Sequence, residues 1–256
     1  MAGFDSYKDK YKAITFRRDD GILEMKLHHE GGAPKWTFGP TGIHNELGWA
    51  FYDVGRDPEN EVVILTHEGD SFMEALHFDE EFGLAAQAAL PIDTSDRIYK
   101  EAKDLLINLF EIEVPVIAAT RGKNFVHAEL ATMSDIVLAD STAVFADKAH
   151  FIFGAVPGDG VHVWWQMVLG PTRGRYFLLT GEEIGVEEAK RLGIVNEILS
   201  PDRLMDRAWA LARELARQPR MVRRYSRVVL NQHIRRRLLD DLGYGLALEG
   251  IAMMGR

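Results

Sequence analysis

Val62-Val63-Ile64-Leu65-Thr66 is a short, continuous apolar run ending in threonine, bounded by Glu59, Glu61, His67 and Glu68. A run this short and this β-branched reads as a strand covered on both faces rather than as half of an amphipathic sheet. Ile136-Val137-Leu138-Ala139 and the Pro-led segment Val116 to Thr120 repeat the pattern. Ile14 to Arg17 and Ile22 to His28 flank Arg18-Asp19-Asp20-Gly21 as a predicted hairpin. Between the strands, Ile43, Leu47, Ala50, Phe51 and Val54 recur at helical spacing, and Ser95 to Glu113, Val161 to Leu169 and Glu187 to Leu192 also read as helices. Buried strand, polar loop and helix in succession predict a layered α/β core over residues 1–200, with its site on the loops. From Pro201 onward no strand candidate remains. Residues 201–256 are expected to form a helical region broken near Gln218-Pro219 and Gln232-His233.

Composition removes several classes of function. The chain contains no cysteine, which excludes disulfides, a thiol nucleophile and thiolate metal sites. No segment approaches the roughly 18 apolar residues of a membrane span, and the first ten residues have no apolar run behind their charges. A cytoplasmic protein with no membrane partner is therefore expected. The formal net charge of -9 disfavours a general nucleic-acid binder. Arg217, Arg220, Arg223, Arg224, Arg227 and Arg235 to Arg237 leave two readings open: a solvated helix face with ion pairs, or a local phosphate site.

Chemistry concentrates in His150-Phe151-Ile152-Phe153-Gly154-Ala155-Val156-Pro157-Gly158-Asp159-Gly160. One imidazole and one carboxylate sit at either end of a Gly- and Pro-bent loop. A carboxylate on one ring nitrogen fixes the tautomer and stabilises the imidazolium, so His150 and Asp159 are a candidate pair for activating water. The same residues also suit a surface loop, since Pro-Gly-Asp-Gly is good turn chemistry by itself. His127 follows the strand ending at Thr120 and lies at the start of an apparent helix, where free backbone N–H groups favour a developing negative charge. His44 opens the earlier helix, downstream of Trp36. Leu242, Leu246, Glu249 and Met253 share one helix face, so Glu249 either meets a partner or polar cavity, or marks where that face reaches solvent.

At these positions the sequence resembles the crotonase (enoyl-CoA hydratase/isomerase) superfamily. The resemblance runs from Val62-Val63-Ile64-Leu65-Thr66 and Gly69-Asp70-Ser71-Phe72 through Ser134-Asp135-Ile136-Val137-Leu138-Ala139 and Val156-Pro157-Gly158-Asp159-Gly160 to Leu179-Thr180-Gly181 and Gly193-Ile194-Val195. It implies a spiral of ββα units with a C-terminal helical region, assembled as a homotrimer or a dimer of trimers. Three departures matter. Phe72-Met73-Glu74-Ala75-Leu76-His77 stands where acyl-CoA members have Phe-x-Ala-Gly-x-Asp, and Phe125-Val126-His127 stands where they have three glycines. Those small residues let backbone N–H groups approach a thioester oxygen. His150 stands where hydratases carry a catalytic glutamate.

That pattern is similar to the β-diketone hydrolase branch of the superfamily, which is matched at Trp36-Thr37, His44-x-Glu46-Leu47, His127-x-Glu129, His150-Phe151, Val161-His162 and Glu249. The similarity implies hydrolysis of a carbon-carbon bond in a cyclic or bicyclic 1,3-diketone to a keto acid, with no cofactor and no metal. It implies His150 with Asp159 as the base for water and His127 as proton donor to the enolate. His44 and Glu249 would complete the polar side of the pocket, and Trp36, Phe82 and Val126 would bind substrate. The segments Phe38 to Ile43 and Met73 to Phe82 depart from the branch, so the substrate is expected to differ where they line the pocket. Three alternatives compete: an acyl-CoA hydratase or isomerase, a metal-dependent hydrolase, and a non-catalytic binding protein on the same fold.

Overall fold

The computed structural model describes residues 3–77 and 89–255. Strands β1 (Ile14–Asp19) and β2 (Ile22–Leu27) pair antiparallel with Asp19 opposite Ile22. The connection is thus only Asp20-Gly21, both at positive φ (48° and 77°). This is the Asp-Gly hairpin turn whose twist matches that of the strands, and it extends β1 two residues beyond the expected Arg17.

Helix α1 (Ile43–Arg56) leads to β3 (Val62–His67), and α2 (Ile92–Glu111) to β4 (Val116–Thr120) and β5 (Lys123–Asn124). Then follow α3 (Glu129–Thr132), β6 (Ile136–Asp140), β7 (Val144–Phe145), α4 (Val161–Leu169) and α5 (Pro171–Thr180). Strand β8 (Ile184–Gly185), α6 (Val186–Arg191), β9 (Glu197–Leu199), α7 (Leu204–Ala216) and α8 (Arg220–Met254) complete the described chain.

Two sheets result, a six-stranded one in the order β1-β2-β3-β4-β6-β9 and a small one, β5-β7-β8. Every pairing in the large sheet is parallel except the hairpin. A long strand feeds the large sheet, a two-residue strand feeds the small one, and a helix returns the chain. The β4-β5-α3 unit and the β6-β7-α4 unit both follow this path, which is the ββα spiral.

The apolar run that signalled β3 is buried on both sides. Val63 and Leu65 belong to the main core with α1 and α2. Val62 and Ile64 face a second core in which Leu204, Ala208, Trp209 and Ala212 of α7 cover the sheet.

The C-terminal region differs from expectation in one respect. The break at Gln218-Pro219 is present, but α8 runs without interruption from Arg220 through Gln232-His233 to Met254. Nothing at that polar pair removes a backbone donor, so the i to i-4 ladder continues.

Four arginines of α8, Arg223, Arg224, Arg227 and Arg235, are tied to other elements of the fold. Arg223 donates to the carbonyls of Ala216 and Gln218, capping the end of α7, and pairs with Glu61 at 3.0 Å. Arg227 bonds Asp135 at 2.6 Å and the carbonyls of Ile112 and Leu109, while Arg224 and Arg235 pair with Glu113 and Glu111. No described helix is long and apolar enough to cross a membrane.

Candidate active site

His150 and Asp159 reach one another because the loop between them carries glycine where no other residue fits. A Cβ on Gly158 would lie 2.2 Å from the carbonyl oxygen of Gly245 in α8. Gly160 has φ 103° and would meet the Leu106 side chain at 2.2 Å. The loop can therefore press against both α8 and the core and set Asp159 between two histidines. Its Oδ2 lies 3.1 Å from His150 Nε2 and 3.3 Å from His127 Nδ1. The two imidazole rings stand perpendicular, 5.5 Å apart at their centres.

Each imidazole has a carboxylate that the sequence reading did not single out as its partner. Asp147 Oδ1 takes His150 Nδ1 at 2.8 Å, so the orienting carboxylate is three residues before the histidine and Asp159 occupies the opposite nitrogen. Glu129, the first residue of α3, takes His127 Nδ1 at 2.7 Å. Only the His127-x-Glu129 spacing carried a local signal for either pair. His127 has φ 51°, a left-handed conformation that a non-glycine residue adopts at a cost and that here turns its ring into the cluster.

Burial and charge act against each other in this site. Burial disfavours the charged form of His150, yet the Asp159 and then the Asp147 carboxylates outweigh it and hold the imidazolium well above its ordinary range. His127 is also raised, with burial opposed by Asp159 and Glu129. Burial would raise Asp159, but His150 and His127 together hold it well below the ordinary carboxylate range. Glu249 is only 8% exposed, and its Oε2 has no partner among the described residues. Burial, reinforced by the Asp159 charge, pushes its carboxyl up to about 8. The solvent-facing reading of Glu249 is therefore excluded.

Trp36 is 1% exposed, and its ring lies against that of His127, 3.8 Å between centres and tilted by 31°. It also meets His44, edge-on at 5.6 Å. His44 is buried in the first turn of α1 and is bound at Nδ1 by Glu101 of α2, 2.9 Å away. It meets the His127 cluster through the Trp36 ring, with no contact of its own to Asp159 or His150 among the described residues. Glu101 lies 57 residues from its histidine, so nothing local in the sequence could reveal it. Phe82 lies outside the described residues. Val126 is buried in the main core, next in sequence to His127.

The replaced glycines also have a structural counterpart. The backbone N–H groups of Phe125 and Val126 both donate to Met73 O, at 2.9 and 3.1 Å. Two amides of the segment that serves a thioester in acyl-CoA members are thus spent within the protein. His127, His150 and Asp159 place donor atoms within 4.8 Å of one another, a spacing that suits a metal ion. His150 has a carboxylate on each ring nitrogen and both rings favour the protonated form, so a metal would have to displace protons that the carboxylates hold in place.

The two-sheet spiral and its loop-borne polar cluster define a crotonase-type enzyme fold. The sequence profile of the Enoyl-CoA hydratase/isomerase family matches residues 17–246, and the chain belongs to that family. Its structure is similar to that of a beta-diketone hydrolase from the cyanobacterium Anabaena sp. PCC 7120 bound to (S)-3-oxocyclohexyl acetic acid. The TM-score is 0.90 and the identity 43%, with 97% of each chain covered. An enoyl-CoA hydratase/isomerase from Mycobacterium paratuberculosis shares the fold at TM-score 0.85 and 23% identity, covering 96% of this chain and 95% of its own. By sequence, carnitinyl-CoA dehydratase of Shigella flexneri is 31% identical over 206 residues, 80% of this chain and 74% of that protein.

Proposed function

We propose that the protein hydrolyses a carbon-carbon bond of a cyclic or bicyclic 1,3-diketone, a retro-Claisen reaction that yields a keto acid. The observation that carries this reading is Asp159 held between His150 and His127 while the Phe125 and Val126 amides are turned to Met73. Such a site offers proton transfer and charged donors in place of a thioester cradle. The likeness to the Anabaena enzyme supports it, since the molecule bound there is a ring ketone with a carboxymethyl arm, the kind of keto acid that opening a bicyclic 1,3-diketone produces.

In the proposed reaction, water adds to one carbonyl carbon and its proton passes to the His150-Asp159 pair, with Asp147 keeping the second ring proton on Nδ1. Glu249, neutral up to about pH 8, donates to the tetrahedral oxyanion. The carbon-carbon bond then breaks, and its electron pair moves to the second carbonyl as an enolate. His127 Nε2, opposite the Glu129-bound nitrogen and without a hydrogen-bond partner among the described residues, protonates or hydrogen-bonds the enolate oxygen. Protonation at carbon completes the ketone, and the other fragment leaves as a carboxylate. No electron is gained or lost, so acids, bases and water suffice. Trp36 packs the His127 ring and forms the apolar wall for substrate. Phe82 and Val126 on the substrate side, and His44 acting through Trp36, belong to the same proposal.

The wider setting is also part of the proposal: a cytoplasmic homotrimer or dimer of trimers acting on a small molecule, with residues 201–256 closing the pocket over a 1–200 core. The glycine contact between α8 and the Asp159 loop supports the part of it in which the C-terminal helix closes over the site.

Incubation with a bicyclic 1,3-diketone should remove its enol absorbance and produce the keto acid, while crotonyl-CoA should remain unhydrated. Hydration of crotonyl-CoA with no loss of diketone would replace this reading with that of an acyl-CoA enzyme.

A further inference from the structure

Glu101 is the carboxylate beside the site that the reaction above leaves without a task. It stands on α2 with a side chain only 11% exposed, where its Oε2 takes His44 Nδ1 at 2.9 Å and its Oε1 faces Arg97 at 3.8 Å. A carboxylate accepts and does not donate, so Nδ1 carries a ring proton of His44. Nε2, at the far side of the ring, has no hydrogen-bond partner among the described residues. This bond is not needed to join the two helices. Gly48 of α1 lets the backbones close, since a Cβ there would lie 3.2 Å from Leu105 N, and Asn108 Nδ2 of α2 donates to Gly48 O at 2.9 Å. Neither contact involves Glu101.

From His44 a run of ring contacts leads into the site. The His44 ring meets Trp36 edge-on at 5.6 Å, and Trp36 lies against His127 at 3.8 Å. The backbones along this run are fixed: Trp36 N–H donates to Ala75 O, Trp36 O accepts from His77 N–H, and His44 N–H donates to Thr37 O. The side-chain torsions of Trp36 and His44 are left to be set by what the rings touch. Among the described residues, the one side-chain hydrogen bond that either of them makes is that of His44 to Glu101. His127 sits at φ 51°, so its ring direction depends on support from outside its own backbone. Placement matters for a proton donor, because a shift of about 1 Å at a reacting group costs roughly a hundredfold in rate.

We propose that Glu101 is a positioning residue of the site: it anchors His44 by Nδ1 and, through the Trp36 ring, holds the His127 imidazole where the enolate forms. It is not itself a catalytic residue, since its contacts end at His44 and Arg97. The inference rests on the diketone reading for the effect on turnover, and on the contacts from Glu101 through His44 and Trp36 to His127 alone for the positioning.

Two readouts on the full-length protein separate this inference from the reaction itself. Long-range proton-nitrogen NMR, with the His44 ring assigned by its loss in His44→Gln, should find a proton on Nδ1 in the wild type. In Glu101→Ala that proton should no longer be fixed on Nδ1, and the His127 ring protons, which lie in the ring current of Trp36, should shift. A wild-type Nδ1 without a proton, or His127 signals unmoved in Glu101→Ala, overturns the inference. The wild-type spectrum needs no Glu101 variant, so misfolding of Glu101→Ala does not shield the proposal. In diketone turnover, Glu101→Ala should lower kcat roughly ten- to a hundredfold with KM changed less than about twofold. Glu101→Gln, whose amide oxygen still accepts from Nδ1, should keep most of the wild-type rate. Full kcat in Glu101→Ala, or an equal loss in both variants, overturns it too. Failure of the wild-type protein to consume any diketone would sink the reaction, and the NMR would still decide whether Glu101 positions His44 and His127.

Discussion

His150 has no free nitrogen: Asp147 holds one edge and Asp159 the other. A base so placed works only when the proton shared with Asp159 is gone, so the acid limb of kcat/KM should lie above the ordinary imidazole range of about 6.5. Asp159→Asn should move that limb to lower pH, because removing the carboxylate lowers the imidazolium's pKa, and should cut kcat by several orders of magnitude. A pH-rate profile of the variant checks both signs. His150→Ala should abolish most turnover with the fold retained by circular dichroism. Glu249 gives a separate prediction in stability. Its folded-state pKa of about 8 exceeds the ordinary carboxylate value, so the folded protein keeps a proton that the unfolded chain releases, and stability falls as pH rises from about 4.5 to 8. Glu249→Gln removes that cost. Urea melts should show the variant more stable by roughly 2–5 kcal/mol at pH 8, with the gap closing near pH 4. Equal stability at both pH values would contradict the buried neutral carboxyl.

At the scale of elements, the site depends on glycine contacts that hold one loop under one helix. Gly245→Ala would drive a methyl group into the His162 ring and the Gly158 carbonyl, and should cost about 1–3 kcal/mol in a thermal melt while disturbing the Asp159 loop. What the sequence revealed and what it hid follow from the range of the interactions. Strand β3 was legible because burial on both faces leaves a continuous apolar run, and the hairpin because Asp20-Gly21 permits little else. Glu249 was legible as a carboxylate on an apolar stripe. Asp147 was within three residues of His150 but carried no pattern, and Glu101 comes to His44 only when α1 packs on α2. The continuous α8 was missed because Gln232-His233 is polar on a face that lies at the surface, where polarity does not mark a helix end.

Over the whole molecule, α8 has two faces with different fates. One packs Leu238, Leu242, Leu246 and Glu249 into the core region, while Val228, Val229 and Leu230 with Met221, Val222 and Tyr225 stay exposed. Val229 is 70% and Leu230 69% exposed, an apolar patch of the kind that marks a contact between copies in the proposed trimer. Val229→Glu should shift the mass measured by light scattering toward the monomer, and an unchanged mass would place the assembly contact elsewhere. The central claim concerns the bond that breaks, and single-turnover hydrolysis of a bicyclic 1,3-diketone in oxygen-18 water tests it most directly. Mass spectrometry should find one heavy oxygen in the carboxylate of a ring-opened keto acid, formed by the wild type and not by His150→Ala. Recovery of the intact diketone from the wild type, or equal product from His150→Ala, would contradict the account.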